Sequence, residues 1–203
     1  MDGLLDAVQF AHGLWKLQAS FSGIRIHAVS AIGLPGCLKG PDLENSIKSA
    51  PSVASWKGAE AAIRNAFAKA VGGCFKQWQA AVTVPGLPWY PAFSAWPGPD
   101  APPMPNVPTP LVACASSKVA QIVTPGPMKS SMLSGLKGDF AFKDQFCDAL
   151  AFALALAFQM WLPTQMVMLV LGKGPVPTFA PPYVPVGPVV NGSVIPTPGH
   201  LLS

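Results

Sequence analysis

The sequence predicts a mainly α-helical fold with long, extended proline-rich arms, a few short strands and a duplicated helix-plus-arm unit. Apolar side chains recur every three or four residues in three stretches, which is the spacing of helices with one buried face. Two of these stretches are followed by proline-rich sequence, and proline disfavours helix both at its own position and at the residue before it. We therefore divide the chain into residues 1–46 (helix, short strand and loop), 47–127 (first helix plus arm) and 128–203 (second helix plus C-terminal arm).

The composition indicates a surface that is covered by other molecules. Half of the 203 residues are hydrophobic and 11% are charged, against about a quarter charged in a typical soluble protein. The net charge of +4 comes from scattered residues without a basic run, so no nucleic-acid partner is indicated. We expect other chains or lipid to cover part of this surface.

The first unit begins with an amphipathic helix over residues 2–19, with Asp2 and Asp6 near its start, where the helix dipole favours acidic side chains. Residues 24–29 alternate as in a short strand, and a loop rich in glycine and proline follows. The opening sequence has no basic segment, so we do not expect a secretory signal peptide.

The second unit begins with a helix that follows Pro51 and ends near Trp78, with Ser52 or Ser55 as its N-cap. Gly72 and Gly73 lie inside it. Each glycine weakens a helix by about 1 kcal/mol relative to alanine, unless another element packs closely at that position.

The two arms are rich in both proline and aromatic residues. Twelve prolines lie between Pro85 and Pro127. Aromatic residues are usually scarce in disordered segments, so we predict extended arms whose rings insert into pockets of neighbouring chains. The predicted interaction residues are Trp89, Tyr90, Phe93 and Trp96 in the first arm, and Phe179 and Tyr183 in the C-terminal arm.

The third unit contains a charge-free stretch, Ala149–Gly172, that is long enough to cross a bilayer as a helix. Pro163 interrupts it and argues against a clean membrane span. The alternative is a buried helix that ends near Trp161, with residues 166–171 forming a strand or a last helical turn. Further on, residues 189–195 carry Asn-Gly between β-branched residues, which predicts a two-residue hairpin.

The two halves of the chain resemble each other over about seventy residues. Phe75-x-x-Trp78 matches Phe158-x-x-Trp161, and the motif VPTP at 107–110 matches IPTP at 195–198. This order indicates a duplication. The first copy of the helix carries lysines, so a shared fold favours burial of the charge-free stretch in protein.

No motif in the sequence indicates catalysis. The four cysteines form no CxxC pair and are expected to be buried in a reduced compartment, and the three histidines are far apart. GxSxG, HExxH, phosphate-loop and dinucleotide-binding motifs do not occur. We therefore expect no enzyme and assign no catalytic, cofactor or metal residues.

These observations favour a structural subunit of a large symmetric assembly, such as a bacteriophage virion or contractile-tail-like particle assembled in the bacterial cytoplasm. Its partners would be copies of itself and other structural subunits. A trimer of a duplicated subunit would present six similar units. The alternatives are a membrane-complex subunit anchored at about residues 149–172, and a cytosolic binding module with proline-rich ligand arms.

Overall fold

The computed structural model describes residues 2–90, 92–93, 100, 103–138, 140–176, 186–187 and 189–201. The fold is mixed, with 49% helix and 22% strand, and a six-stranded antiparallel sheet curls into half of a barrel. The prediction of a mainly helical protein with extended arms is therefore wrong. The described helices are α1 (Asp2–Gln18), α2 (Leu43–Lys48), α3 (Gly58–Ala80), α4 (Ala120–Val123), α5 (Pro125–Gly135) and α6 (Lys143–Thr164), with a 3-10 turn at Leu111–Ala113.

The sheet has the strand order β5-β3-β2-β12-β10-β7, with every neighbouring pair antiparallel. Three two-stranded ladders, β1-β4, β6-β11 and β8-β9, lie outside it. The strands are β1 (Ser20–Phe21), β2 (Ile24–Ala28), β3 (Ser30–Gly33), β4 (Leu38–Lys39), β5 (Val84–Pro88), β6 (Ala92–Phe93), β7 (Met104–Pro105), β8 (Thr109–Pro110), β9 (Met166–Val167), β10 (Leu171–Lys173), β11 (Val186–Gly187) and β12 (Val189–Val194).

The position of proline in the sheet explains why the arm prediction failed. Proline cannot donate a ladder hydrogen bond, so it is confined to edge strands and bulges. The two proline-containing strands of the sheet, β5 and β7, are its two edges, and the four strands between them contain no proline. The described parts of the proline-rich stretches therefore complete a sheet within their own chain.

The predicted hairpin at residues 189–195 is also wrong, because this stretch is one continuous central strand. Asn191 has the positive φ of +55° that the Asn-Gly pair predicted. However, the conformation serves a β-bulge, and the register of β12 against β2 shifts between Val189 and Gly192.

The helices form a connected layer in which α1 packs on α2, α2 on α3, α3 on α5, and α5 on α6. The predicted helix at residues 2–19 is confirmed by α1, and the predicted strand at 24–29 by β2. The predicted helix after Pro51 is confirmed by α3, but it begins at Gly58 with Lys57 as its N-cap. Ser52 instead donates a hydrogen bond to the carbonyl oxygen of Gly3.

The stretch after α6 folds as strands, which decides between the two alternatives for residues 166–171. Pro163 lies inside the last turn of α6. Helix and sheet residues share a single hydrophobic core. The sheet takes strands from all three predicted units. The predicted duplication is a separate question, and superposing residues 47–112 on residues 128–200 would test it.

Candidate interaction site

The C-terminal ends of α1, α3 and α6 converge on one aromatic cluster. Each helix supplies a ring and, three residues later, a tryptophan: His12 and Trp15, Phe75 and Trp78, Phe158 and Trp161. The three indole centroids lie 6.1, 6.0 and 5.7 Å apart. Edge-to-face aromatic pairs contribute about 0.5–1.5 kcal/mol each beyond their buried area, so this cluster holds the three helix ends together.

Glutamine side chains satisfy two of these indoles. Trp15 Nε1 donates to Gln79 Oε1 at 2.6 Å, and Trp161 Nε1 donates to Gln165 Oε1 at 3.0 Å. The sequence repeat predicted the shared Phe-x-x-Trp pattern of α3 and α6. It missed the third member in α1, where histidine takes the place of phenylalanine.

His12 lies deep in this cluster. Its ring makes a T-shaped contact with Trp161, with centroids 4.5 Å apart at 90°. Its Nε2 atom is buried and has no hydrogen-bond partner among the described residues. Burial and, to a lesser extent, the charge of Lys16 together lower the pKa of His12 to about 4. The imidazole is therefore neutral at pH 7.

An open groove of about 390 Å³ runs between α1 and α6 beside the aromatic cluster. No charged residue lines it, and its two polar residues are Gln9 and His12. Leu5 and Val8 on α1 face Ala153 and Ala157 on α6 across it. The groove therefore offers an apolar recess that suits the side chains of a neutral partner.

The outer face of α6 extends this apolar surface. Phe152, Leu156 and Met160 are spaced one turn apart and are 62%, 45% and 60% exposed. From Ala149 to Thr164 the helix carries no charged residue. The opposite face, including Leu150 and Leu154, is buried in the core. The helix is thus apolar on both its buried and its exposed sides.

Among the described helices, α6 alone has the length and apolar composition of a membrane-spanning segment. Within its most hydrophobic window, 39% of the residues are buried inside the fold. Its first turns carry Asp144 and Asp148, which both pair with Lys129 of α5, at 3.0 and 3.1 Å. Core helices of water-soluble proteins meet the same length and composition requirements.

The predicted interaction residues are divided by the structure. Trp89 is 4% exposed and packs in the core of its own chain, where its Nε1 donates to the carbonyl oxygen of Met104 at 3.0 Å. Tyr90 is 43% exposed. Phe93 lies in β6, and its side chain is outside the described part of the structure. Trp96, Phe179 and Tyr183 lie outside the described residues.

Three buried polar residues that the sequence analysis did not assign fasten the proline-rich stretches to the body. They are Asn106, Gln165 and His200. Asn106 Nδ2 donates to the carbonyl oxygen of Val167, and its Oδ1 accepts from the Val170 amide. Gln165 Nε2 donates to the carbonyl oxygen of Leu201. Each of them has a threonine within three residues in the sequence, so no isolated polar position distinguished it.

The remaining reactive side chains to consider are the cysteines and the residue types that bind metals. The four cysteines are free and buried, and burial raises the pKa of Cys114 to about 12. A thiol with a raised pKa is a poor nucleophile at neutral pH. Within the described ranges, no group of three or more His, Cys, Asp or Glu side chains is placed to hold a metal ion.

The chain is thus a mixed α and β protein with helices beside a curled antiparallel sheet. Its candidate site consists of an apolar groove and an apolar outer helix face. No protein-family model, curated protein or solved structure matches the chain. Its function must therefore be argued from the site itself.

Proposed function

We propose that the protein is a structural subunit of a large symmetric multi-protein assembly, and that it has no enzymatic activity. The observation that carries this proposal is the exposed, charge-free face of α6 beside the α1–α6 groove. A bacteriophage virion or contractile-tail-like particle, assembled in the bacterial cytoplasm, is the class of assembly that suits such a subunit best.

The energetics favour a covered rather than a solvated α6. Burial of a large apolar side chain is worth roughly 1.5–3 kcal/mol. Phe152, Leu156 and Met160 lie in one row along the helix and would be buried together. Contiguous apolar patches of this kind mark interaction sites on soluble proteins, and permanent interfaces resemble a domain core cut in half.

The groove and the α6 face indicate a neutral apolar partner surface. We propose that this partner is a neighbouring subunit, either another copy of the chain or a second structural protein of the particle. Nucleic acid is disfavoured because the described site residues carry no positive charge. Of the predicted interaction residues in the proline-rich stretches, Trp89 is buried within its own chain, and Tyr90, Phe93, Trp96, Phe179 and Tyr183 remain candidate contacts.

A membrane-complex subunit is the second candidate, and the length and apolar composition of α6 favour it. The fold argues against it, because the buried face of α6 packs on α4 and α5. Insertion of α6 would carry those helices, with the Lys129 ion pairs, towards the lipid. A cytosolic binding module with proline-rich ligand segments is the third candidate.

The test places a charge on the α6 face. Leu156→Glu buries a carboxylate in the proposed interface, and an unpaired buried charge costs about 3–5 kcal/mol. We expect the wild-type chain to form oligomers or to co-sediment with its particle without detergent, and Leu156→Glu to lose this assembly by at least 100-fold in apparent affinity. Light scattering and co-sedimentation measure the loss.

Leu34→Glu is the matched control, since Leu34 is an exposed leucine in the loop after β3 and does not belong to α6. Circular dichroism should show the same helix content for both variants and the wild type. Assembly of Leu156→Glu at wild-type strength would refute the proposed role of α6. A strict detergent requirement for the wild-type chain would instead favour the membrane candidate.

A further inference from the structure

His200 lies in a neutral, closed environment. It is 1% exposed, and its ring stacks on Phe21 with centroids 6.3 Å apart. The Phe21 amide donates to His200 Nδ1 at 3.0 Å, and Thr197 Oγ1 lies 2.9 Å from Nε2. Because Nδ1 accepts a hydrogen bond, the ring proton must be on Nε2, and the imidazole is uncharged.

His200 belongs to a short segment, residues 197–201, that we call the latch. The Gly199 amide donates to the carbonyl oxygen of Ala19 at 3.1 Å. The carbonyl oxygen of His200 accepts from the Met168 amide at 3.0 Å. Leu201 is fully buried. The sheet ends before the latch, at the hydrogen bond from the Ile195 amide to the Leu171 carbonyl oxygen. The latch can therefore detach without breaking a sheet hydrogen bond.

Among the residues that the structure describes, no charged group contacts His200 to compensate a proton on it. The residues that contact it from β1, from the stretch after α6 and from the latch itself are Phe21, Met168 and Thr197, and none of them is titratable. On the adjacent strand β4 the charged residue is Lys39, which is exposed and lies opposite Ser20. Burial alone lowers the pKa of His200, to about 4.

We propose that His200 makes residues 197–201 an acid-sensitive latch. Protonation of Nδ1 converts the acceptor of the Phe21 amide into a second donor, and it places an unpaired charge in an apolar site. The latch then leaves β1 and the stretch after α6, while the sheet stays intact. Its departure uncovers the apolar site that Leu201 now fills. This regulatory device goes beyond the proposed assembly role and does not depend on it.

Hydrogen exchange of the full chain tests the proposal. The closed latch binds a proton with a pKa of about 4, and a detached histidine near 6.5. Linkage then predicts that opening becomes on the order of 50-fold more favourable at pH 4.5 than at pH 7.5. The amides of Phe21 and Met168 should lose protection by this factor, after correction for intrinsic exchange rates. The amides of Arg25 and Ile26 report unfolding of the sheet, which acid also favours through His12, and they should remain better protected than the latch amides at both pH values.

Two variants make the result specific. His200→Asn keeps an acceptor near the Nδ1 position but does not titrate, so its latch protection should be independent of pH. His27→Asn changes an exposed histidine of β2 and should behave as the wild type. Equal pH dependence of the Phe21 and Met168 amides in His200→Asn and wild type would overturn the proposal. Equal protection of the latch and sheet amides at pH 4.5 would also overturn it, because the two would then open together.

Discussion

Gly72 and Gly73 are neighbours in α3, yet the structure predicts opposite effects for an added methyl group. A Cβ atom at Gly72 would lie 2.7 Å from both the backbone nitrogen and the Cβ of Glu44, and 2.9 Å from its Cα, where α2 crosses α3. A Cβ atom at Gly73 would meet nothing within 4 Å. The sequence predicted a helix-weakening effect at both positions, with close packing as the exception.

The magnitudes follow from two competing effects. Alanine in place of an interior helical glycine gains about 1 kcal/mol of helix propensity. Gly73→Ala should therefore stabilise the protein by about 0.5–1 kcal/mol. Gly72→Ala gains the same amount but must displace backbone atoms of α2, and overpacking costs about 1–3 kcal/mol. We expect a net destabilisation of about 1 kcal/mol, and a gap of about 2 kcal/mol between the two variants.

Urea unfolding followed by circular dichroism and tryptophan fluorescence measures this gap. Thermal unfolding should show the same gap, because in a protein of this size 2 kcal/mol corresponds to a difference in melting temperature of roughly 4–8 °C. A Gly72→Ala variant as stable as Gly73→Ala would refute the close approach of α2 to α3. Equal destabilisation by both would refute the open surroundings of Gly73.

Two further predictions concern buried polar residues. Asn106→Ala should destabilise the protein by about 2–4 kcal/mol in urea unfolding, because it leaves the Val170 amide and the Val167 carbonyl oxygen without their side-chain partner. The control is Asn65→Ala, which changes an exposed asparagine. An equal loss of stability in the control would contradict the reasoning. Acid should weaken the fold through His12. Between the folded pKa of His12, about 4, and its ordinary value of about 6.5, the unfolded chain binds more protons than the folded chain. The contribution of neutral His12 to the free energy of unfolding is therefore complete above about pH 6.5 and falls by about 2 kcal/mol by pH 5. His12→Phe, which copies the Phe-x-x-Trp pattern of α3 and α6, should remove that part of the loss measured between pH 7.5 and 5.0, and an unchanged loss would exclude His12 as its source.

Sequence periodicity was a good guide to the helices but not to the sheet. The spacing of apolar residues located α1, α3 and α6, because each buries one face in the shared core. Short α2 escaped notice, since six residues are too few to show a helical period. The N-cap of α3 was misplaced because Ser52 has a tertiary partner, Gly3, that local rules do not reveal.

The sheet was missed for a different reason. Its strands are two to six residues long and come from distant parts of the chain. Local alternation therefore identified β2 but did not show which strands pair with it. Proline in β5 and β7 indicated extended backbone correctly, but the partner strand decides between an arm and a sheet edge. The candidate interaction site was partly foreseen, since the charge-free α6 stretch was singled out. The exposed row that begins at Phe152 could not be predicted, because it depends on which face of α6 packs on α4 and α5.

The central place of β12 in the sheet has a consequence for how the chain folds on the ribosome. Strand β2 is sandwiched between β3 and β12, and the Phe21–His200 hydrogen bond joins residues 179 positions apart. Contacts of such long sequence separation slow folding, because loop closure precedes any gain from pairing. The β2–β3 hairpin must therefore wait, with one edge open, until most of the chain has been synthesised. During that interval the nascent protein presents an unpaired strand edge, and it is then that a chaperone would protect it most.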